Sequence, residues 1–364
     1  MRVGLMAENP LESAIVASGL VPTPMLEAYA PVYARSLVLG TKLGIFDALR
    51  DGGRSAVAIA SSVGTDPRPT EKLLNVLVTM RYLRHRDGTY SLAGHARRWL
   101  LADAPRSIRD VILMKELEWR WIDQLEAFVR DGTPLDVHAT MSTDDWAAYQ
   151  RGMRAQANVL ATWLARRVPV PSGALEMLDI GGAHGYFSVV LCRKHPELRA
   201  TVLDLPEAVE HARPLLEREG MGERVTLRAG NALTDDLGEA AYDLILIFSL
   251  VHHFDDATNR SLMSRAARAL CPGGYLVIGD ALRPSSPGKG GQQGAFFDLY
   301  FALTSESGLW TFDEMRSWQV EAGLAPLKSI SLVPGGGFVL QVAERTGRSP
   351  RPMRPGRRLS TGRR

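Results

Sequence analysis

The stretch Leu178-Asp-Ile-Gly-Gly-Ala-His-Gly185 decides how this chain folds. It follows a proline-rich boundary, Val168-Pro-Val-Pro-Ser-Gly173, and leads into a helical pattern over residues 186–194. A strand that ends in a glycine-rich turn before a helix presents backbone N–H groups to a ligand at the carboxyl edge of a parallel sheet. The stretch therefore predicts the first strand–turn–helix unit of a ligand-binding α/β domain.

A second acidic residue stands where such a unit requires one. The apolar run Ala200–Leu203 ends in Asp204, about twenty residues beyond the turn. An acid at the tip of the second strand can accept hydrogen bonds from both hydroxyls of a ribose. The turn and Asp204 together predict a cofactor that carries a nucleoside.

The glycine spacing excludes the two commonest nucleotide motifs. A dinucleotide site needs G-x-G-x-x-G, but counting from Gly181 the second and third glycine positions hold Ala183 and Tyr186. No Gly-Lys-Ser/Thr follows, so the turn is not a P-loop. The carboxylate of Asp179 within the motif would repel a phosphate but suits a cofactor with a cationic amine and a sulfonium. The pattern favours a binding site for S-adenosylmethionine over the alternative interpretation, in which the glycines serve only close packing.

Composition limits the class of protein. The 364 residues and 45% hydrophobic content suit two domains with substantial cores. Residues 345–364 carry eight arginines and no acid, so the rest of the chain is mildly acidic although the net charge is +3. We expect a disordered, solvated tail there, rather than a segment that binds nucleic acid or a membrane. Two cysteines and no long apolar run predict a cytoplasmic protein without a membrane span.

Residues 1–105 predict helices followed by a hairpin. Asp87-Gly88, a pair favoured in tight turns, separates two short strands, as in a winged-helix domain. The helix that would read DNA, Pro67–Met80, has only Arg68 and Lys72 as cations and is otherwise rich in apolar residues. We therefore predict dimerisation rather than DNA binding. An apolar helix over Ser36–Leu49 precedes this unit.

Residues 106–170 predict an all-helical region with many aromatic and methionine residues. Most such side chains form core, but a helical bundle beside a cofactor domain can also hold a flat aromatic substrate. Trp119 and Met153 are predicted to line that acceptor site.

Residues 171–344 alternate strands and helices regularly. This predicts a doubly wound, Rossmann-like α/β sheet that follows the helical N-terminal domain. The predicted strands are Glu176–Ile180, Ala200–Leu203, Val225–Ala229, Leu244–Phe248, Tyr275–Asp280 and a last one at Gly337–Gln341.

Two histidines, His252 and His253, follow the fourth of these strands. Reacting groups in such folds gather at the carboxyl ends of strands, and imidazole accepts protons near neutral pH. His252 is predicted to be a general base, whereas His253 lines the acceptor site or merely precedes a helix capped by Asp255 or Asp256. No third ligand stands at metal spacing, so no metal is expected.

The combined motifs resemble the plant-type small-molecule O-methyltransferases, the family of the caffeate and acetylserotonin methyltransferases, in its bacterial natural-product branch. The resemblance covers residues 25–344. It rests on the glycine-rich turn, Leu203-Asp-Leu-Pro206, Gly230-Asn-Ala232, His252 and Pro272-Gly-Gly274.

The resemblance implies a role for each matching residue. The cofactor would contact Asp179, Gly181, Asp204, Leu205, Asn231, Ala232 and Phe248. His252 would deprotonate the acceptor hydroxyl beside Asp280, one of two acids that bracket the base in the family. Apart from the resemblance, side chains of the segment Phe296–Phe301, among them Phe297, are expected to shape the acceptor pocket.

Several positions depart from the family pattern. Ala183 replaces a glycine, which is tolerable if its φ is negative. The second bracketing acid falls at Leu309, so Glu306 is the nearest substitute. His184, inside the turn, could contact the cofactor's carboxylate, but we expect it to face solvent.

The sequence thus predicts an S-adenosylmethionine-dependent O-methyltransferase that releases S-adenosylhomocysteine. Its acceptor would be a hydroxyl of an aromatic or polyketide-like molecule of secondary metabolism, and the N-terminal domain would form a homodimer. A C- or N-methyltransferase on the same scaffold remains an alternative. So does a non-catalytic winged-helix regulator that senses the cofactor.

Overall fold

The computed structural model describes residues 9–19, 21–286, 289, 291–333 and 338–347. The predicted basic tail lies outside these residues, except for positions 345–347. Among the described residues, no helix is long and apolar enough to cross a membrane. Cys192 and Cys271 are buried, and the Cys271 thiol donates to the Ala240 carbonyl oxygen at 2.9 Å.

The N-terminal region consists of helices around a two-stranded hairpin. Its elements are α1 (Pro10–Ala17), α2 (Thr23–Glu27), α3 (Ala30–Lys42), α4 (Ile45–Ala48), α5 (Ala56–Val63), α6 (Pro67–Thr79), β1 (Leu83–Arg86), β2 (Thr89–Leu92) and α7 (Gly94–Trp99). Asp87 and Gly88 both have positive φ, the conformation that a tight two-residue hairpin needs.

The single helix predicted over Ser36–Leu49 is two helices in the structure. Gly44 adopts a left-handed conformation, with φ +76°, between α3 and α4. A glycine reaches this conformation without steric cost, so it ends one helix and redirects the chain into the next.

Four helices form the middle region: α8 (Arg109–Ile122), α9 (Leu125–Asp131), α10 (Val137–Thr140) and α11 (Thr143–Arg167). The 25-residue helix α11 begins with a capping box in which Ser142 and Asp145 satisfy each other's backbone N–H groups. It packs against α8 and also against two helices of the following region, so it links the two halves of the chain.

The last region is an α/β sheet. Its helices and strands are β3 (Glu176–Ile180), α12 (Tyr186–Lys194), β4 (Arg199–Asp204), α13 (Pro206–Glu217), β5 (Val225–Ala229), β6 (Tyr242–Phe248), α14 (Asp256–Ala269), β7 (Leu270–Ala281), α15 (Gly291–Thr304), α16 (Phe312–Glu321), β8 (Ala325–Pro326), β9 (Ile330–Ser331) and β10 (Phe338–Glu344). The strand order is β5-β4-β3-β6-β7-β10-β8, and β9 also pairs with β10.

Five strands of this sheet are parallel, and the C-terminal strand β10 runs antiparallel to β7. Side chains alternate between two cores. In β3, Met177 joins the core beneath α11 and α12, while Leu178 and Ile180 join the core beneath α14 and α16. Because both faces are covered, the sheet is doubly wound as predicted. The chain reverses its direction of winding between β4 and β6, on either side of β3, which is where such folds bind ligands.

Candidate active site

A cavity of about 300 Å³ lies at this reversal point. The carboxyl ends of β3, β4 and β6 form one wall, and one face of α11 forms the other. Its lining residues are His138, Trp146, Tyr149, Gln150, Met153, Gln156, Ala157, Leu160, Asp179, Gly181, Gly182, Ala183, His184, Phe187, Leu203, Asp204, Leu205, Ala208, Gly230, Asn231, Ala232, Leu233, Phe248, Ser249, Leu250, His253, Phe254 and Phe338.

The glycine-rich turn lines this cavity with backbone. Gly181 and Gly185 have φ near +70°, and a Cβ on Gly182 would stand 2.7 Å from Asp179 and Val202. A negative φ, the condition for tolerating alanine at position 183, is not met, because the φ of Ala183 is +47°. The backbone N–H of Ala183 donates to Asp204 across 2.6 Å, and this hydrogen bond helps to hold the left-handed turn.

Asp179 is fully buried at the end of β3. Its Oδ2 accepts a hydrogen bond from the Ser188 hydroxyl at 2.7 Å, while Oδ1 is buried without a partner in the described structure. Burial raises the pKa of Asp179 to about 7, although the Ser188 hydrogen bond opposes the shift. A buried carboxylate with one free oxygen is suited to bind a cationic ligand group.

Asp204 ends β4 on the other side of the turn. Backbone N–H groups of Ala183 and Leu205 donate to its two oxygens, at 2.6 and 2.8 Å. Burial raises the pKa of Asp204 despite these two hydrogen bonds. Each oxygen keeps a lone pair, so the carboxylate can still accept from a ligand's hydroxyls.

The other residues predicted for the nucleoside also line the cavity. Leu205, Asn231 and Ala232 lie at the carboxyl ends of β4 and β5. The side-chain oxygen of Asn231 accepts from the Leu233 N–H at 2.9 Å, which orients the side chain. Phe248, at the end of β6, packs against the rings of Phe187 and Phe338.

His184 does not face solvent, and that expectation is wrong. The side chain is buried, lines the cavity and packs edge-on against Phe187. Its Nδ1 accepts a hydrogen bond from the Tyr186 N–H at 3.0 Å, which turns the ring inward at the start of α12.

The structure brings His252 and Asp280 together. His252 follows β6 in a short 3₁₀ turn and Asp280 lies near the end of the adjacent β7. The Nδ1 of His252 stands 2.9 and 3.1 Å from the two carboxylate oxygens, and both residues are buried. Phe301 covers the imidazole, with ring centroids 4.0 Å apart.

His253 lines the cavity, whereas His252 lies beside it with ring centroids 4.3 Å apart. The Nδ1 of His253 pairs with the Ser305 hydroxyl at 3.1 Å. The ring of His138 approaches His253 to 5.0 Å and stacks on Trp146. Burial lowers the pKa of His253 well below its ordinary value and also lowers that of His138, so both are neutral at neutral pH.

Glu306 does not take the place of a second bracketing acid. It is exposed just beyond α15, and in the described structure it makes no hydrogen bond to His252. The buried neighbour Ser305 contacts His253 instead. The polar group that this segment supplies is therefore the Ser305 hydroxyl, and it contacts His253 rather than His252.

Three helical residues, Trp119, Met153 and Phe297, are predicted to line the acceptor site, and one of them lines the cavity. Met153 lines it from α11. Trp119 lies on α8 beneath the Arg35 guanidinium, 4.2 Å from its ring, on the side that faces α3. Phe297 is 42% exposed, one turn before Phe301 on α15, and it does not line the cavity. Neither residue lines this cavity, because spacing does not reveal which helix face meets the sheet, and their role at the acceptor site stays a prediction.

Sequence reasoning missed several lining residues. Tyr149 and Gln150 precede Met153 on the cavity face of α11, and the spacing from Trp146 to Leu160 carries this signal. Gln150 is buried with an unpartnered Oε1. His138 stands in the four-residue helix α10, and no local pattern marks it. In the described residues no cluster of three or more His, Cys, Asp or Glu side chains could hold a metal ion.

Comparisons with known proteins agree with this geometry. Residues 129–324 match the model of the O-methyltransferase domain, and residues 30–102 match the O-methyltransferase dimerisation domain. The chain is 26% identical over 315 residues to 3-hydroxy-5-methyl-1-naphthoate 3-O-methyltransferase of Streptomyces sahachiroi, covering 84% of this chain and 90% of that protein. It is also 26% identical over 260 residues to the N,N-dimethyltransferase OxyT of Streptomyces rimosus, covering 68% and 75%.

Among solved structures, human N-acetylserotonin methyltransferase in complex with S-adenosylmethionine has a TM-score of 0.80 at 19% identity, covering 94% of this chain and all of that one. The chain belongs to the O-methyltransferase family. It is an S-adenosylmethionine-dependent methyltransferase, as predicted, and not a non-catalytic regulator.

The residues present fit this methyl donor. The unpartnered Oδ1 of Asp179 offers an acceptor to a cationic amine. Glycine is needed at positions 181 and 182, because a Cβ there would collide with Leu250 and with Asp179, so the turn lines the cavity with backbone close to the Asp179 carboxylate. Asp204 stands about twenty residues after the turn, as expected for a ribose contact. Each of its carboxylate oxygens keeps a lone pair that can accept from a ribose hydroxyl.

Proposed function

We propose that this enzyme transfers the methyl group to a hydroxyl of an aromatic or polyketide-like small molecule, with His252 as the general base. The observation that carries the proposal is the hydrogen bond between His252 Nδ1 and the Asp280 carboxylate. A carboxylate can only accept, so this bond keeps the imidazole proton on Nδ1. The lone pair of Nε2 is then available for the proton of an acceptor hydroxyl.

The donor, when bound, supplies an electrophilic methyl group on a sulfonium. The chain must supply a stronger nucleophile, since a phenol attacks poorly before it loses its proton. A positioned base contributes about 10²–10⁴ in rate. Further acceleration comes from holding the oxygen in line with the methyl group and from excluding water.

The end of the cavity near these histidines supports a flat acceptor. Trp146, Tyr149 and Met153 present ring and thioether surface from α11. The neutral imidazoles of His138 and His253 offer hydrogen bonds without charge. Such a mixture of aromatic surface and few polar groups is typical of sites for oxygenated aromatic ligands.

His253 is the second candidate for the base, because it lines the cavity and His252 does not. We favour His252, since its partner is a carboxylate that can stabilise an imidazolium, whereas the partner of His253 is the Ser305 hydroxyl. N-methylation remains a second candidate reaction, because one relative is named an N,N-dimethyltransferase. Without a base the scaffold could also methylate carbon.

We further propose a homodimer formed by the N-terminal region. Its first helices expose several large apolar side chains, namely Leu11, Met25, Tyr29, Val32 and Tyr33. An apolar surface of this kind marks an interface more often than a solvated face. The cytoplasmic location expected from the sequence stays a prediction.

The test is an acceptor screen followed by product analysis. The protein is incubated with S-adenosylmethionine and a panel of phenols, hydroxyquinones and matched aromatic amines, and S-adenosylhomocysteine is quantified. We expect turnover of phenolic acceptors, with the new methyl group on oxygen by NMR. Products methylated only on nitrogen or carbon would overturn the O-methylation proposal.

A further inference from the structure

We infer that His184 is a binding residue for the donor, and that its Nε2–H donates a hydrogen bond to the carboxylate of the donor's amino-acid group. This rests on the use of S-adenosylmethionine by the family and is independent of the acceptor and of the base. The donor's amino-acid group is a zwitterion, so it needs both an acceptor and a donor from the protein.

The tautomer of His184 follows from one hydrogen bond. The Tyr186 N–H donates to Nδ1 at 3.0 Å, so Nδ1 must carry a lone pair. In a neutral imidazole the proton then resides on Nε2. The ring is 4% exposed and lines the cavity, so the Nε2–H is a preoriented donor rather than a solvated one.

Burial also favours the neutral form of the imidazole. Burial, and secondarily the charge of Arg154, lowers the pKa of His184 to about 3. The group is therefore a neutral donor throughout the pH range in which the enzyme is handled. Its hydrogen bond to a carboxylate would not titrate near neutrality.

The surroundings favour an anion on this side of the turn. Arg154 lies over the Tyr186 ring at 3.3 Å and is close enough to His184 to affect its titration, although it also pairs with Glu219. Helix α12 begins at Tyr186, and its N-terminal dipole is positive there. No lysine or arginine lines the described cavity, so the carboxylate has no full cation at contact distance.

The other end of the zwitterion has its own partner. Asp179 stands at the start of the same turn with Oδ1 buried and unpartnered. The turn thus presents an acceptor at Asp179 and a donor at His184, with glycine backbone between them. This arrangement matches the ammonium and carboxylate groups of one amino acid.

The experiment is a titration of two ligands by calorimetry. S-adenosylhomocysteine has the carboxylate, and 5′-deoxy-5′-(3-aminopropylthio)adenosine has the same amine without it. His184→Phe keeps a ring but removes the donor. We expect S-adenosylhomocysteine to bind this variant about 10- to 100-fold more weakly, and the decarboxylated ligand to change less than about threefold.

A second variant keeps the proposal testable if the turn is disturbed. In His184→Asn, the side-chain oxygen can accept from the N–H two residues on, and the amide can donate to the ligand. We expect its affinity for S-adenosylhomocysteine to stay within about fivefold of wild type. Equal weakening of both ligands by His184→Phe would show a merely structural role and overturn the inference.

Three other outcomes are decisive. Unchanged binding of S-adenosylhomocysteine by His184→Phe would also overturn the inference. The wild-type protein binds S-adenosylhomocysteine more tightly than His184→Phe by a ratio that should not depend on pH. If this ratio grows from pH 8 to pH 6, His184 is not a neutral hydrogen-bond donor. Failure of the wild-type protein to bind S-adenosylhomocysteine at all would instead contradict the donor assignment itself.

Discussion

Asp280, near the end of β7, and His252, in the turn that follows β6, form a buried pair with 2.9 Å between the carboxylate Oδ2 and the imidazole Nδ1. The pair lies next to a cavity whose other polar residues suit a nucleoside and an amino-acid group. The sheet positions both residues, since β6 and β7 are hydrogen-bonded neighbours that end at the same edge. The imidazole of His252 is thus fixed in orientation by the fold itself.

Removing the imidazole of His252 should slow methyl transfer without weakening the binding of the methyl donor. His252→Ala is expected to lower kcat by about 10²–10⁴ and to leave the Kd for S-adenosylhomocysteine within about twofold. Asp280→Asn should lower kcat less, and the double variant should resemble His252→Ala because the two residues act as a unit. Steady-state kinetics with an acceptor from the screen measures this, with circular dichroism as the folding control. A kcat close to wild type in His252→Ala would remove the base assignment.

The neighbouring histidine should behave differently. His253→Ala and Ser305→Ala are expected to raise the acceptor KM several-fold and to change kcat by less than about threefold. The reason is that His253 lines the cavity but lacks a carboxylate partner. Should His253→Ala lose kcat by more than 10²-fold while His252→Ala does not, the base is His253.

Donor binding should weaken in acid because of Asp179. Its pKa of about 7 in the free protein means that the carboxyl is protonated below this pH, whereas the ligand's ammonium favours the ionised form. The Kd for S-adenosylhomocysteine should therefore rise about tenfold from pH 8 to pH 6, with proton release on binding at pH 6. Calorimetry in two buffers of different ionisation enthalpy measures both quantities. Asp179→Asn is the control, and the same pH dependence in this variant would assign the effect to another group.

The exposed apolar face of the first helices should hold the dimer together. Val32→Asp combined with Tyr33→Asp places charges on this face and should convert a dimer into monomers in sedimentation velocity. Val129→Asp is the control, because Val129 is a valine on α9, outside this surface, and is even more exposed than Val32. A dimer that survives the double substitution would place the interface elsewhere.

Local patterns predicted the central part of the fold well. The bounds of β3 and β5 agree with the sequence, because short apolar runs between turn residues are typical of buried parallel strands. Asp204 and His252 could also be found, since Asp204 ends such a strand and His252 follows four residues after the end of another. The antiparallel direction of β10 was not predicted, because direction depends on the path of the connecting chain rather than on composition.

Residues whose position depends on packing between distant segments were predicted poorly. Trp119 and Phe297 have the right chemistry for an acceptor site, but the cavity meets a different helix face in each case. The positive φ of Ala183 and the burial of His184 both follow from hydrogen bonds within the turn, to Asp204 and from Tyr186. Such contacts could not be predicted from the sequence, because alanine and histidine each occur in several backbone and side-chain conformations.

The most direct test of the account is the calorimetric titration of wild-type protein and Asp204→Ala with S-adenosylhomocysteine. The account predicts one site per chain with micromolar affinity in the wild type. It predicts an affinity about 30- to 100-fold lower in the variant, which loses both ribose acceptors. Asp204→Asn, which keeps one side-chain acceptor, should fall between them. A folded wild-type protein that binds no S-adenosylhomocysteine, or an Asp204→Ala variant that binds it as tightly as wild type, would contradict the site described above.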